Sequence, residues 1–417
     1  MVVSLLMLAA CGSPSTDNET SSSQPLAAGH LQPTDTKRAP VDPDAPVSTL
    51  ATGFTDAGFQ LMRAQPATEN LVFSPLSIGH ALLMASGAAD DPTAAAITSA
   101  FGLPQGTEAD EAWNNLDQSM LASSGTNTAL DGTPTPILTM ADRLWPAVGA
   151  SPNQGWIDLM STHHGASVET IDPANEQASR QRINQWVSDQ TNQLIPQLLP
   201  AGFINPGTVL VLTDAVYFKA QWQSVFGKYG PEVAPFTMLD GSQIEMSYLV
   251  DFDQPGPRGA GDGYVGAEIP YLGNDFTMLV IVPEQGRFGE IRSRLSAGFV
   301  DEVDATFSSG PYKLQMPEWE TTSTIDLLGW LTDLGIAPGS YPGIGPGASL
   351  AGAVHGADIT VDEIGTEAAA ATGMGFETSG AEGTEMVVAA DRPFFYLVRH
   401  AESGAVLFAG QVTDPRG

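Results

Sequence analysis

Val361-Asp362-Glu363-Ile364-Gly365-Thr366-Glu367-Ala368-Ala369-Ala370-Ala371-Thr372 is the stretch on which the fold turns. Four consecutive alanines favour helix, because Ala loses no side-chain entropy there. The flanks oppose it. Asp358–Glu363 reads as a strand, and Gly373, Gly375, Gly380 and Gly383 stop any long helix from growing. A strand therefore runs into a loop of small and polar residues. Beyond it come Met386–Ala390 and then Asp391-Arg392-Pro393-Phe394-Phe395-Tyr396, where a second strand is expected over Phe394–Arg399.

Working outward, Thr49–Arg63 carries Leu50, Phe54, Phe59, Leu61 and Met62 at helical spacing. Asn70–Ser74 is a short strand ending at a helix start, with Ser74 as cap and Pro75 at the first helical position. Leu76–Ala88 is apolar nearly all round, which predicts a central helix. A long amphipathic helix is expected over Ala178–Leu199, stopped by Pro200. Thr208–Phe218, Thr277–Val282, Tyr312–Met316 and Val406–Gln411 read as further strands. Helices first and strands later indicate an α+β protein rather than alternating βαβ units.

The alanine-rich segment resembles the reactive-loop hinge of serpins, with Glu363, Gly365, Thr366, Glu367, Ala368, Ala369, Ala370, Ala371 and Thr372 on the family's pattern. Asp391–Tyr396 is similar to the family's carboxyl-terminal signature. So, in the family's order, are Asn70–Ser77, Ile183–Val187, Leu198–Pro200, Leu212–Trp222, Ile269–Tyr271, Met278–Pro283, Lys313–Trp319 and Leu331–Ile336. The resemblance covers residues 48–417 and implies one domain: several helices on a large main β-sheet, smaller sheets, and an exposed reactive loop at about 365–387. It also implies a suicide-substrate inhibitor of serine endopeptidases, with cysteine endopeptidases as a second target class. In that mechanism the cleaved loop inserts into the main sheet while the protease is still held as an acyl-enzyme. The alternative is a non-inhibitory binding or carrier protein, whose hinge would be expected to hold bulky or charged residues, or Pro. In an inserted strand alternate side chains share a face. Thr366, Ala368, Ala370 and Thr372 would then point inward, all small enough to pass beneath a packed layer.

Counting forward from Gly365 puts the scissile bond at Ser379-Gly380, and counting back from Pro393 puts it at Glu382-Gly383. No Lys or Arg lies between Glu363 and Asp391, which disfavours trypsin-like targets. The family's sheet-opening region maps onto Ser74, Ser77, Trp222 and His355. There the sequence departs from pattern, with Asp214 where the family usually has an Asn bonded to that His. The expectation is an Asp214–His355 pair that raises His355 protonation and makes sheet opening respond to pH. A second departure is Glu318 in place of the lysine that often pairs with the family glutamate, here Glu363.

Acidic residues number 48 against 16 Lys plus Arg, a net charge of −32 that repels phosphate backbones and excludes nucleic acid as a partner. The same scarcity of cations disfavours heparin-like activation, and no cofactor is expected. The single cysteine, Cys11, rules out an internal disulfide or a thiolate zinc site. The histidines show no metal spacing, so no metal site is expected, and His163-His164 reads as an exposed helix end or turn. Gly347-Ala348-Ser349-Leu350-Ala351 misses GxSxG by one residue and lacks the strand before a nucleophile elbow, so no enzyme activity is expected.

Met1–Ala10 is an apolar run too short to span a bilayer, and Leu8-Ala9-Ala10-Cys11 resembles the lipobox of bacterial lipoproteins. Residues 1–11 are therefore read as a signal ending at a lipidated Cys11, and 12–47 as a disordered polar tether. At about 5–6 Å × √n such a tether holds the body roughly 30–35 Å from a membrane. The expected product is a monomer outside the cytoplasmic membrane, anchored as a lipoprotein or secreted, whose partner is a target endopeptidase.

Overall fold

The computed structural model describes residues 2–3, 37–226, 232–366 and 386–417. Apolar side chains at i, i+4, i+7 and i+11 (Leu50, Phe54, Ala57, Leu61) bury one face of the first helix, α1, Val47–Ala64. Strand Leu71–Phe73 leads into α2, Pro75–Ser86, whose first turn is closed by the Ser74 hydroxyl accepting from the Ser77 N–H. Nearly every α2 residue is buried, so this helix lies inside the molecule. Around it pack α3 (Asp91–Phe101), capped by Asp90 and ended by the left-handed Gly102, α4 (Glu108–Ala122) and α5 (Gln154–His164).

Two large sheets carry the rest. The main sheet sets strand Ile137–Pro146 antiparallel to Leu210–Gln221 from Ile137↔Lys219 to Pro146↔Leu210, and strand Trp319–Asp326 antiparallel to Val354–Val361 from Trp319↔Val361 to Asp326↔Val354. Between these halves stands the two-residue strand Gly365–Thr366, paired with Val361 on one side and with Ala220 and Gln221 on the other. Lower on the Val354–Val361 edge, Val2 and Val3 pair with Ala357 and Gly356. The other sheet runs continuously through Met386–Ala389, Ser308–Pro317, Gln243–Gly261, Tyr264–Pro270, Phe276–Pro283, Phe394–His400, Val406–Val412 and Leu71–Phe73. Every strand expected from the sequence is present, most of them longer by a residue or more.

Two expectations on extent are corrected. The long helix is α6, Glu176–Gln190, and it ends well before Pro200: Asn192 and Gln193 take positive φ, and Thr191 accepts the turn that follows. The amphipathic spacing beyond Gln190 reflects burial of Ile195, Leu198 and Leu199 as irregular chain. Lys37–Pro46, assigned above to the tether, is seated on the body. Arg38 pairs with Asp117 at 2.6 Å and donates to Asn114, the Ala39 N–H donates to Thr162 O, and Asn115 accepts from Asp42 N. An ion pair and these three polar contacts order a segment that lacks apolar mass.

Candidate functional site

The hinge begins in a tight turn. Asp362 Oδ1 accepts from the N–H groups of Ile364 and Gly365 at 2.8 and 3.0 Å, and the Asp362 N–H donates to Gly365 O. This reverses the chain from Val361 into the space between the sheet halves. The far wall holds it: Trp222 N–H donates to Ile364 O, Phe226 N–H to Glu363 O, and the Trp222 indole N–H to Asp362 O at 2.9 Å. Trp222 is fully buried and stacks on Tyr271 with ring centroids 4.5 Å apart, which makes this wall rigid. Gly365 has no room for a side chain, since a Cβ there would lie 2.0 Å from Ala220 O. Thr366 is 1 % exposed and its hydroxyl lies 2.6 Å from the Tyr271 hydroxyl. Glu367, Ala368, Ala369, Ala370, Ala371 and Thr372, and the candidate scissile pairs Ser379-Gly380 and Glu382-Gly383, lie outside the described residues, as does Cys11.

Glu318 sits beside Glu363 at the top of this sheet. Partial burial raises its carboxyl pKa first, and the neighbouring charges of Glu363 and Asp362 raise it further. Two like charges thus face each other where an ion pair would close the turn.

Deeper in the sheet the expected Asp214–His355 pair does not form. His355, fully buried on strand Val354–Val361, accepts at Nε2 from the Ser74 N–H at 3.0 Å, and burial lowers its pKa to about 3. That is the reverse of the raised protonation expected. The physical reason lies in the sheet: Asp214 belongs to the other half, and its side chain turns toward α2. There it accepts from the Ser77 hydroxyl through one oxygen and meets His80 Nδ1 at 2.5 Å through the other. Asp142 stands directly opposite Asp214 in the ladder, 3.5 Å from the same His80 nitrogen. Burial raises the pKa of both carboxyls well above the usual carboxylate range, and Asp214 raises Asp142 further.

The reading of His163-His164 is likewise corrected for His164. It ends α5 at 1 % exposure, with Nδ1 2.9 Å from His80 Nε2 and Nε2 2.9 Å from Asp110 Oδ1. Sequence reasoning missed His80, Asp142, Tyr271 and Asp362. Only Tyr271 carried a local signal, through Ile269-Pro270-Tyr271; the others become partners through contacts more than 50 residues apart or through a turn whose type is set by its surroundings.

Comparison with known proteins agrees with this architecture. The sequence profile of the family described as Serpin (serine protease inhibitor) matches residues 50–415, and the chain belongs to that family. An uncharacterized serpin-like protein of Thermococcus kodakarensis is 29% identical over 385 residues, covering 89% of this chain and 87% of its own. Among solved structures, the thermophilic serpin tengpin in its native state superposes with a TM-score of 0.77 at 20% identity, over 92% of this chain and 97% of its own. Thyroxine-binding globulin in complex with thyroxine gives 0.74 at 22%, over 88% and 99%. Both superpositions speak to the fold.

Proposed function

We propose that the protein traps serine endopeptidases, with a capacity for cysteine endopeptidases, by inserting its cleaved loop between the two halves of the main sheet. The observation that carries this reading is the seating of Gly365–Thr366. The first two residues of the inserted row, Gly365 and Thr366, already stand in the seam bonded to both walls, and in the sequence they are followed by Glu367 and then by the small side chains Ala368–Thr372. About 15 further residues at roughly 3.3 Å each would carry the cut end some 50 Å. At 0.5–1.5 kcal/mol net per hydrogen bond the new ladder contributes on the order of 10 kcal/mol. A protease still acylated on the loop would lose the alignment of its oxyanion hole and triad, so deacylation would slow. The inhibitor itself supplies no catalytic group.

The bond offered is read as Ser379-Gly380, suited to elastase-like or subtilisin-like enzymes, with Glu382-Gly383 as the alternative for glutamate-specific ones. We place the chain outside the cytoplasmic membrane, tethered through Cys11. The Leu8–Cys11 pattern is what supports this. Cleavage before Cys11 would also remove Val2 and Val3 from the edge of Val354–Val361, which is the edge an inserting loop needs.

The test is incubation with elastase, subtilisin, chymotrypsin, trypsin and a glutamate-specific protease. An SDS-stable complex and a carboxyl-terminal fragment whose mass begins at Gly380 or Gly383 are expected. Clean cleavage of the loop without a complex would overturn the inhibitory reading and favour the carrier one.

A further inference from the structure

The buried group formed by His80, Asp142 and Asp214 supplies nothing that the trapping chemistry requires, and its composition is that of a metal site. His80 comes from α2, Asp142 from strand Ile137–Pro146 and Asp214 from strand Leu210–Gln221. One donor atom from each lies within 4.8 Å of the other two, and all three residues are buried. We propose that these side chains bind one divalent transition-metal ion of the zinc type and thereby tie α2 to the two adjacent strands.

Three physical arguments support the assignment. The first is charge. Two carboxylates face each other across the ladder in the interior, and Arg38, which acts on Asp142, is itself bonded to Asp117. Burying two carboxylates in contact with each other and sharing one imidazole is costly, so the pair must either hold a proton in common or neutralise against a cation. A divalent ion with two carboxylates and a neutral imidazole leaves no net charge. The second is geometry. Zinc takes nitrogen and oxygen donors at about 2.0–2.2 Å, which sets tetrahedral donors roughly 3.4 Å apart. His80 Nδ1 and Asp142 Oδ1 are already 3.5 Å apart, and Asp214 Oδ2, at 2.5 Å from the same nitrogen, needs to retreat by about an ångström.

The third argument is orientation. A ligating histidine characteristically donates its other ring N–H to a fixed acceptor, which sets the tautomer. His80 Nε2 is 2.9 Å from His164 Nδ1, and His164 Nε2 is 2.9 Å from Asp110, so one consistent chain of donors leaves His80 Nδ1 unprotonated, with its lone pair facing the carboxyl of Asp214. The His80 ring is further clamped by Trp113, stacked at 3.5 Å, and the Ser77 hydroxyl holds the second oxygen of Asp214. A nitrogen and two oxygens suit zinc, cobalt or manganese in preference to softer ions.

The experiment uses the full chain stripped with a chelator, then given Zn²⁺ or Co²⁺ alone, both as native protein and during refolding so that burial does not block entry. One equivalent of Co²⁺ with visible ligand-field bands, displaced by Zn²⁺, is expected, together with a rise in melting temperature. Asp142→Asn, nearly isosteric, should abolish the bands. His164→Gln should weaken binding by the roughly 10–100-fold typical of losing an outer hydrogen-bond partner. No bands from the wild-type chain under either loading regime would overturn the proposal in favour of a shared proton, and bands that survive in Asp142→Asn would place the ion elsewhere. No protease enters this readout, so its outcome is separate from that of the trapping assay.

Discussion

The two large sheets are built from similar strands yet differ in how their neighbours are joined. In the sheet that holds Phe394–His400, each strand is laddered to the next: Phe276 to Ile281 pairs residue by residue with His400 to Phe395, and Tyr264 to Pro270 with Pro283 to Thr277. In the main sheet two equally complete ladders, Ile137–Pro146 with Leu210–Gln221 and Trp319–Asp326 with Val354–Val361, are connected at their top by Gly365 and Thr366. One sheet is laddered from strand to strand throughout; in the other, among the described residues, the seam below Gly365–Thr366 is met only by the short pairing of Val2 and Val3 with Ala357 and Gly356. On the proposed mechanism the free energy of insertion would be released along this one row, and the side chains in it would decide whether a strand can enter.

The sharpest way to break the contrast is to obstruct the row. Thr366→Arg puts a charge where the native side chain is 1 % exposed and bonded to Tyr271. Trapping is expected to fall at least tenfold while loop cleavage continues, so the gel shows cleaved inhibitor in place of complex. Undiminished capture would mean that the seam is not the route. Gly365→Ala is a milder version. Its Cβ would press on Ala220 O, and such overpacking costs about 1–3 kcal/mol, read as a lower urea midpoint and a shift from complex toward cleaved product.

A second break comes through pH at His355, on the wall opposite Asp214. Its folded pKa, near 3, lies below the unfolded value of 6.5, so the unfolded chain takes up the extra proton. The stabilisation is full above about pH 6.5 and is lost as pH falls toward 3, amounting to about 4–5 kcal/mol over the whole span. The cause is burial, reinforced by the need for an Nε2 lone pair to accept the Ser74 N–H. Urea midpoints at pH 7 and pH 4 should differ by less in His355→Gln, whose amide oxygen can accept that N–H without titrating. Equal differences in both chains would show that His355 is not a source of acid sensitivity.

The same contrast explains what could be read from the sequence. Strands of the continuous sheet announce themselves by unbroken apolar runs such as Thr277–Val282, because both faces are covered. The inward, buried place of Thr366 beside Gly365 was legible, since a row between two sheet halves tolerates only small residues, whereas the alanines after it lie outside the described residues. The partner of Asp214 was not. Motif order placed Asp214 and His355 near one another, but which imidazole a carboxylate meets depends on side-chain direction across a seam, and His80 offered no spacing to signal it. Lys37–Pro46 misled for the opposite reason: its polar composition reads as disorder, while its order comes from Asp117, Asn114 and Asn115 some 70 residues away.

Glu318 gives the smallest effect and tests the seam from its closing end. Its carboxyl is raised by partial burial and by Glu363 and Asp362, so in the folded chain it holds its proton to higher pH than in the unfolded one, and stability declines as pH rises through that range. Glu318→Lys replaces the repulsion with an ion pair to Glu363 at a largely exposed position, worth about 0.5–1 kcal/mol after solvent screening. The melting temperature should rise by a degree or two at pH 7 and low salt, and the gain should shrink as ionic strength increases. Because the contact lies at the turn from which the loop would continue into the seam, tightening it should also slow insertion of the loop after cleavage. A stabilised variant with unchanged insertion rate would separate the two roles and locate the barrier lower in the seam, beside α2.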